Sequence, residues 1–297
     1  MATETRDSVA TIRLSRRDAG HTLNPAALFQ LGEAVRRAIC DPRVRAIVLT
    51  GSPGAFCRGA DVGYFVRSLR RGELDRLMQF TRAGAAVFDT IAGSPKRVVA
   101  ALNGSAIGGG LELALACHAR LAAPAASLCL PETGLGLVPG WGGLERAAAL
   151  LGDGVAKWLV YAGPVVATRD AWSIGLVDGV AAPAELLDAA RRVALGEPLP
   201  PRPGPRLEAD RIRREYAAPT LEGVFAAASD DLSARPRQAL AAASALFDGL
   251  RADASPAALA ARRERAVLAA FERPDTLRRL EALPAPRGSA QRQGDDP

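Results

Sequence analysis

The chain has 297 residues, 48% of them hydrophobic, which is enough for one large domain with a smaller appendage. Its net charge of +6 comes almost entirely from arginines spread along the sequence, a pattern typical of a solvated surface rather than a nucleic-acid-binding stripe. The four cysteines are widely spaced and form no CxxC pair, which argues against a zinc site or a disulfide framework. We therefore expect a cytoplasmic protein.

The first residues, MATETRDSVATIRLSRRD, are charged throughout and lack the apolar core of a signal peptide. The most apolar window, residues 98–117, is interrupted by Asn103, by glycines and by Glu112. We therefore expect no membrane span.

The predicted elements alternate between strands and helices. Residues 9–15 alternate in polarity and predict a strand. A helix follows, because Asn24 can cap its first turn and Pro25 suits its first position. Apolar runs at 44–50 and 97–102 predict buried strands. Between them, the sequence predicts a loop that begins at residue 51 and then a polar helical stretch. Further strands are predicted at 119–123 and 127–130, so the pattern indicates an α/β core.

A proline-rich stretch, residues 196–206, predicts a linker, because proline continues neither a helix nor a central strand. Alanine-rich amphipathic helices are predicted after it, at 235–253 and 255–283. We therefore divide the chain into a core, residues 1–198, a C-terminal helical region, residues 199–286, and a disordered tail, residues 287–297.

Three consecutive glycines, Gly108 to Gly110, stand between the strand at 97–102 and an apolar run suited to a helix. A helix that begins on glycine leaves its first N–H groups unpaired, so it is a candidate oxyanion site. A tight turn or close packing explains the same glycines. No GK[ST] follows and the spacing is not GxGxxG, which counts against a phosphate-binding loop and a dinucleotide fold.

Two glutamates occupy sparsely charged surroundings. Glu112 lies in the apolar run after the glycines, and Glu132 lies between an apolar strand and a glycine-rich loop. A carboxylate in apolar surroundings is costly unless it has a partner or a chemical role. Support of the helix dipole is the alternative for Glu112. Sequence spacing does not show whether the two acids meet.

Three motifs in order, FCRGADV, ALNGSAIGGGLELALAC and PETGLGLVPGWGGLER, resemble the crotonase superfamily, also called the enoyl-CoA hydratase/isomerase family. The likeness covers residues 9–182 and resumes at 271–283. It implies an α/β fold of the ClpP/crotonase type, a spiral of ββα units with a C-terminal helical region. It also implies an acyl-CoA thioester substrate and a trimer or a dimer of trimers.

The resemblance assigns roles to four residues. The backbone N–H groups of Ala60 and Gly109 form an oxyanion hole for the thioester oxygen. Glu112 is the water-activating base and Glu132 is the acid for the α-carbon. Neither a metal nor a separate cofactor is implied, because coenzyme A is part of the substrate. Substrate contacts are expected from six further residues: Arg58, Asp61, Val62, Gly108, Gly140 and Trp141.

Several positions depart from the usual pattern. Trp141 stands where a small residue is common, so it either narrows the acyl pocket or simply packs. Arg58 either pairs with a phosphate of CoA or is solvated. The dipeptide Leu144-Glu145 stands where members of the family usually have Thr-Gln. His118 replaces an aspartate, and we interpret it as a helix-end or interface residue.

The presence of both glutamates favours reversible hydration of a 2-enoyl-CoA to a 3-hydroxyacyl-CoA. Isomerisation is the first alternative, because isomerases of the family need only the acid equivalent to Glu132. Another acyl-CoA reaction on the same fold, and a non-catalytic acyl-CoA-binding or RNA-binding protein, remain open alternatives. The sequence leaves the acyl chain and the pathway undetermined.

Overall fold

The structure is a computed structural model that describes residues 1–16, 20–201, 207–252 and 254–284. Residues 202–206 of the expected linker and the tail at 287–297 lie outside the described residues. Within the described ranges, no helix is both long enough and apolar enough to cross a membrane.

The described strands form two sheets. In chain order they are β1 (Ala2–Arg6), β2 (Val9–Leu14), β3 (Ala46–Gly51), β4 (Gly54–Cys57), β5 (Arg97–Leu102), β6 (Gly104–Ile107), β7 (Ala119–Ala122), β8 (Ser127–Cys129), β9 (Val166–Ala167) and β10 (Gly179–Val180). The larger sheet has the order β1-β2-β3-β5-β7-β10, and the smaller has the order β4-β6-β8-β9. Neighbouring strands are parallel, except that β1–β2 and β8–β9 are antiparallel.

The chain moves repeatedly from the larger sheet to the smaller one. Strands β3, β5 and β7 belong to the larger sheet, and the strand that follows each of them belongs to the smaller. In the larger sheet, Val48 lies opposite Val99, which lies opposite Ala119. A helical segment follows each strand pair. This is the spiral of ββα units that the resemblance to the crotonase superfamily implies.

The helices, in chain order, are α1 (Pro25–Cys40), α2 (Val62–Arg70), α3 (Leu74–Ala92), α4 (Gly109–Ala116), a short 3-10 helix (Glu132–Leu135), α5 (Gly143–Leu151), α6 (Asp153–Tyr161), α7 (Thr168–Ile174), α8 (Leu186–Ala194), α9 (Leu207–Glu215), α10 (Leu221–Ala227), α11 (Arg237–Arg251), α12 (Pro256–Phe271) and α13 (Pro274–Glu281). Helix α1 begins as the sequence predicts, because the Asn24 side chain accepts the Ala27 N–H at 2.9 Å.

Two local predictions differ from the structure. The stretch from residue 51, predicted as a loop, contains β4 and the start of α2. The polar helical stretch is two helices, because Gly72 takes a positive φ of 66° between them. Strand β2 is buried on both faces, since α8 covers the side opposite the main core and packs with Val9. The strand predicted at residues 9–15 is confirmed as β2, and neither of its faces is exposed.

The C-terminal helices pack on the core of their own chain. Helix α11 contacts α5 and α6, α12 contacts α3, and α13 contacts α2. Helices α9 and α10 are absent from the sequence prediction. Helix α9 packs on α6, α10 contacts α11, and the buried Lys157 ammonium of α6 donates to the carbonyl of Ala218, between α9 and α10, at 2.7 Å. Helix α12 ends before Pro274, which begins α13. These contacts bring the C-terminal region to the site described next.

Candidate active site

The three glycines let α4 begin in direct contact with its neighbours. Gly108 takes a positive φ of 53°, and its N–H donates to the Cys129 carbonyl at 2.8 Å. A Cβ at Gly110 would lie 1.9 Å from the Cys57 carbonyl oxygen, and one at Gly109 would lie 2.4 Å from the Trp141 ring. The helix start therefore tolerates no side chain at these two positions.

The backbone around Ala60 comes into contact with the backbone at the start of α4. Leu23 pairs across from Ala60, because the Gly59 carbonyl accepts the Leu23 N–H at 2.7 Å and the Asp61 N–H donates to the Leu23 carbonyl at 2.8 Å. Groups alternate along an extended backbone, so the Ala60 N–H points away from Leu23. A Cβ at Gly59 would lie 2.8 Å from the Gly109 nitrogen, which places the two segments in contact. Gly109 is the first residue of α4, so its N–H has no intrahelical acceptor.

Glu112, in the first turn of α4, is 2% exposed. Its Oε1 accepts two backbone hydrogen bonds, from the N–H groups of Trp141 and Gly143, each at 2.8 Å. Burial raises the pKa of Glu112 from 4.5 to about 7 against the effect of these two N–H groups. The charge of Glu145 adds to the rise, and the charge of Arg263 opposes it. The carboxyl group is therefore held in place and can change its protonation state near neutral pH.

Glu132 begins the 3-10 helix and is also buried. A Cβ at Gly108 would lie 3.0 Å from its Oε1, so the carboxyl group lies at the start of α4. Its Oε2 is buried and has no hydrogen-bond partner among the described residues. Burial raises the pKa of Glu132 well above its usual value, and the charge of Glu112 adds to the rise. Two carboxyl groups whose charges interact are therefore buried at one site.

These groups line a cavity of about 870 Å³. Its apolar wall includes residues from both the core and the C-terminal helices: Phe65, Val66, Leu135, Leu137, Val138, Val267, Phe271 and Leu280. Charged side chains also line it, among them Arg67 and an ion pair in which the Arg70 Nε lies 2.8 Å from a Glu281 oxygen. A mostly apolar cavity with a few convergent polar groups is typical of a small-molecule site.

The structure brings all ten site residues predicted from the sequence to this cavity: Arg58, Ala60, Asp61, Val62, Gly108, Gly109, Glu112, Glu132, Gly140 and Trp141. Arg58 is exposed and its Nε donates to the Ser105 hydroxyl at 3.4 Å. The Asp61 side chain caps α2 by accepting the Tyr64 N–H at 3.1 Å, which is a structural task.

Trp141 is buried between α3 and α4. Its ring makes edge-to-face contacts with Phe80 at 5.3 Å and Phe88 at 5.2 Å. A Cβ at Gly84 would lie 2.2 Å from the ring nitrogen, so glycines on both helices make room for the indole. Trp141 therefore packs in the core, lines the cavity and holds Glu112 through its backbone N–H.

His118 lies beyond the other end of α4, where its Nδ1 accepts the Val98 N–H at 3.0 Å. Partial burial lowers its pKa. This position agrees with a helix-end residue. Within the described ranges, no group of three or more His, Cys, Asp or Glu side chains is placed to hold a metal ion.

An ion pair beside Glu112 was not predicted from the sequence. Arg263 of α12 donates to the Glu145 carboxylate of α5 at 2.6 Å. The sequence indicated only that Glu145 departs from a family pattern. Arg263 carried no signal, because 118 positions separate it from its partner.

The fold and the site together define an α/β enzyme that combines backbone N–H donors with two buried carboxyl groups. Comparisons with known proteins identify its family. The model of the enoyl-CoA hydratase/isomerase family matches residues 4–196. The chain therefore belongs to the enoyl-CoA hydratase/isomerase family.

Individual relatives agree. The chain is 38% identical over 192 residues to a crotonyl-CoA hydratase of Syntrophomonas wolfei, covering 64% of this chain and 72% of that protein. It is 34% identical over 192 residues to a short-chain-enoyl-CoA hydratase of Clostridium acetobutylicum, with the same two coverages. A crystal structure of an enoyl-CoA hydratase from Rhodobacter sphaeroides 2.4.1 matches with a TM-score of 0.82 at 26% identity, over 95% of this chain and 88% of that chain.

Proposed function

We propose that the protein is an enoyl-CoA hydratase, which adds water reversibly to a 2-enoyl-CoA to give a 3-hydroxyacyl-CoA. The observation that carries this proposal is the burial of two carboxyl groups, Glu112 and Glu132, beside the start of α4 in one cavity. The family and the hydratase names of the relatives support it.

The thioester oxygen of the substrate accepts hydrogen bonds from the Ala60 and Gly109 N–H groups. Attack on the β-carbon moves the double-bond electrons toward this oxygen and builds enolate charge there. Donors fixed by the backbone stabilise that charge without having to reorient. Removing one such donor costs about 2.7–4 kcal/mol in other enzymes. A side-chain substitution displaces a backbone donor but does not delete it.

Glu112 acts as the base. Its Oε1 is occupied by two N–H donors, which leaves Oε2 to take a proton from water as the water oxygen bonds to the β-carbon. Glu132 enters protonated and gives its proton to the α-carbon. Water thus supplies the hydroxyl group and one proton, and proton exchange restores both acids. The two titrate as a coupled pair, because each charge affects the other.

Coenzyme A extends from the thioester to the polar part of the cavity. Arg58, with Arg67 and Arg70 nearby along the lining, offers guanidinium groups to its phosphates. Asp61, Val62, Gly108, Gly140 and Trp141 bound the space around the acyl thioester. The proposed reaction exchanges only water and protons, so it requires no redox cofactor and no metal.

We also propose a trimer or a dimer of trimers, and a cytoplasmic location. Phe29 and Val165 are large apolar side chains that are 66% and 72% exposed, and association would cover such surface. The four cysteines are free thiols, which suits a reducing compartment.

The test is mass spectrometry of the products formed from a panel of short, medium and branched enoyl-CoA esters. Hydration adds the mass of one water and removes the absorbance of the conjugated thioester. Glu112→Gln and Glu132→Gln should each lower kcat by about 10²- to 10⁴-fold while acyl-CoA binding is retained. Glu222→Gln, an exposed change on α10, is the matched control.

Two results would contradict the proposal. If no ester of the panel gains water, the hydratase assignment fails. If Glu112→Gln retains full turnover and the product has the mass of the substrate, the chemistry is isomerisation, which needs only Glu132.

A further inference from the structure

The ion pair between Glu145 and Arg263 is mostly buried. The two side chains are 16% and 10% exposed, and an Arg263 nitrogen lies 2.6 Å from the Glu145 Oε1. The other carboxylate oxygen of Glu145, Oε2, is buried and has no hydrogen-bond partner among the described residues. A buried carboxylate with one unused oxygen is costly, and Arg263 is the ion-pair partner that offsets part of this cost.

The pair is linked to the active site through one turn of helix. Glu145 lies in the first turn of α5, two residues after Gly143. The N–H groups of Gly143 and Trp141 are the two donors that hold Glu112. Arg263 comes from α12, the helix that also places Val267 and Phe271 in the cavity wall. The C-terminal region is thereby connected to the turn that positions Glu112.

Charged or titratable groups on the described elements packed against α4 include Arg146 of α5, Asp89 of α3 and Cys57 of β4. Arg146 of α5 donates to the Trp141 carbonyl at 2.6 Å and pairs with Asp89 of α3. Burial raises the pKa of the Cys57 thiol of β4 to about 12, so it carries no charge at neutral pH. Among the described residues, the charge of Glu145 raises the pKa of Glu112 and the charge of Arg263 lowers it.

We propose that Glu145 and Arg263 are positioning residues for Glu112. Their ion pair holds the first turn of α5, whose backbone N–H groups fix the Glu112 carboxyl, and it balances one buried negative charge beside that group. The role in turnover rests on the proposed function, in which Glu112 is the base.

The two charges act on Glu112 in opposite directions. Glu145→Gln removes a negative charge and leaves Arg263, so the ionised form of Glu112 becomes more favourable. Arg263→Met leaves the Glu145 charge unbalanced, so the neutral form of Glu112 becomes more favourable. The acidic limb of the pH profile of kcat/KM should move downward by about one pH unit in Glu145→Gln. It should move upward by about one pH unit in Arg263→Met. The double variant should return it toward the wild-type position.

Two further variants distinguish an effect of the Arg263 charge from an effect on the stability of α12. Arg263→Lys keeps the positive charge and should keep the wild-type pH profile, even if it loosens α12. Arg262→Met removes an exposed arginine from the same helix and serves as the matched control. A purely structural role would lower kcat at every pH without opposite movements of the acidic limb.

The titration of Glu112 is also measured without substrate. Carbon-13 NMR of glutamate-labelled protein, with Glu112→Gln to assign the signal, follows the carboxyl directly. Opposite shifts in Glu145→Gln and Arg263→Met support the inference even if the enoyl-CoA panel shows no hydration. An unchanged Glu112 titration in Glu145→Gln, in a protein that hydrates enoyl-CoA, overturns the inference and leaves the proposed function intact.

Discussion

At the scale of single residues, Glu112 and Glu132 show how a buried carboxyl group is kept in an apolar site. Glu112 has two backbone donors on one oxygen, whereas Glu132 has a buried oxygen without a partner among the described residues. Burial favours the neutral acid at both residues, and the two N–H donors at Glu112 oppose that effect without cancelling it. Such groups reduce stability when they ionise, which is acceptable where the proton is needed for chemistry.

Glu112 should therefore make stability depend on pH. The folded state raises its pKa from 4.5 to about 7, so the folded protein binds this proton more tightly than the unfolded chain does. The contribution is fully present below pH 4.5, and it is lost as pH rises to about 7. Glu112→Gln should stabilise the fold at alkaline pH by up to about 3 kcal/mol and have little effect at acidic pH. Urea unfolding at both pH values measures this, with Glu222→Gln as the control, and an equal effect at both would contradict it.

At the scale of elements, the position of α4 depends on glycines that admit neighbouring backbone. Gly110 lies against the carbonyl of Cys57, and Gly59 lies against the nitrogen of Gly109. Backbone cannot rotate out of the way as a side chain does. The proposed oxyanion hole therefore depends on how closely the backbones at Cys57 and Gly59 approach the start of α4.

Gly110→Ala tests this contact. The new methyl group would lie 1.9 Å from the Cys57 carbonyl oxygen, so the helix start must shift and displace the Gly109 N–H. We expect kcat to fall by about 10²-fold or more, together with a lower Tm. Gly93→Ala, at the end of α3, is the control, because its nearest contact would be the Asp89 carbonyl at 3.3 Å. Wild-type kcat in Gly110→Ala would show that the helix start is not constrained in this way.

Trp141 connects α3, α4 and α5. Its replacement by alanine leaves a cavity beside Phe80 and Phe88 and should destabilise the fold by about 3–5 kcal/mol. Chemical denaturation measures this loss. Trp158→Ala, at a partly exposed position of α6, should cost clearly less. Equal losses in the two variants would argue against the central packing role of Trp141.

At the scale of the whole molecule, the family match ends at residue 196, but the cavity does not. Val267, Phe271 and Leu280 complete its wall from helices beyond that point. A site built from both parts requires the C-terminal helices to be folded on the core. Differences in substrate preference within the family are therefore expected to involve these helices.

The proposed trimer or dimer of trimers is a prediction about the whole molecule. The monomer mass is 31.0 kDa, and we expect light scattering to show three or six times this mass. Phe29 is 66% exposed, and association would cover this apolar side chain. The substitution Phe29→Asp should therefore weaken association. A monomer at all concentrations would contradict the expected trimer.

The sequence by itself determined the alternation of strands and helices, the glycines at the start of α4 and the two acids, because turn, capping and periodicity signals act over a few residues. The start of α1 at Asn24 is one such signal. Only the tertiary structure decided that Glu112 and Glu132 line the same cavity, that Trp141 lies between glycines of two helices, and that Arg263 reaches Glu145. These contacts join segments as far as 118 residues apart, and their geometry depends on how whole elements pack. Local sequence carries no record of that packing, because each segment has many possible neighbours until the core excludes water.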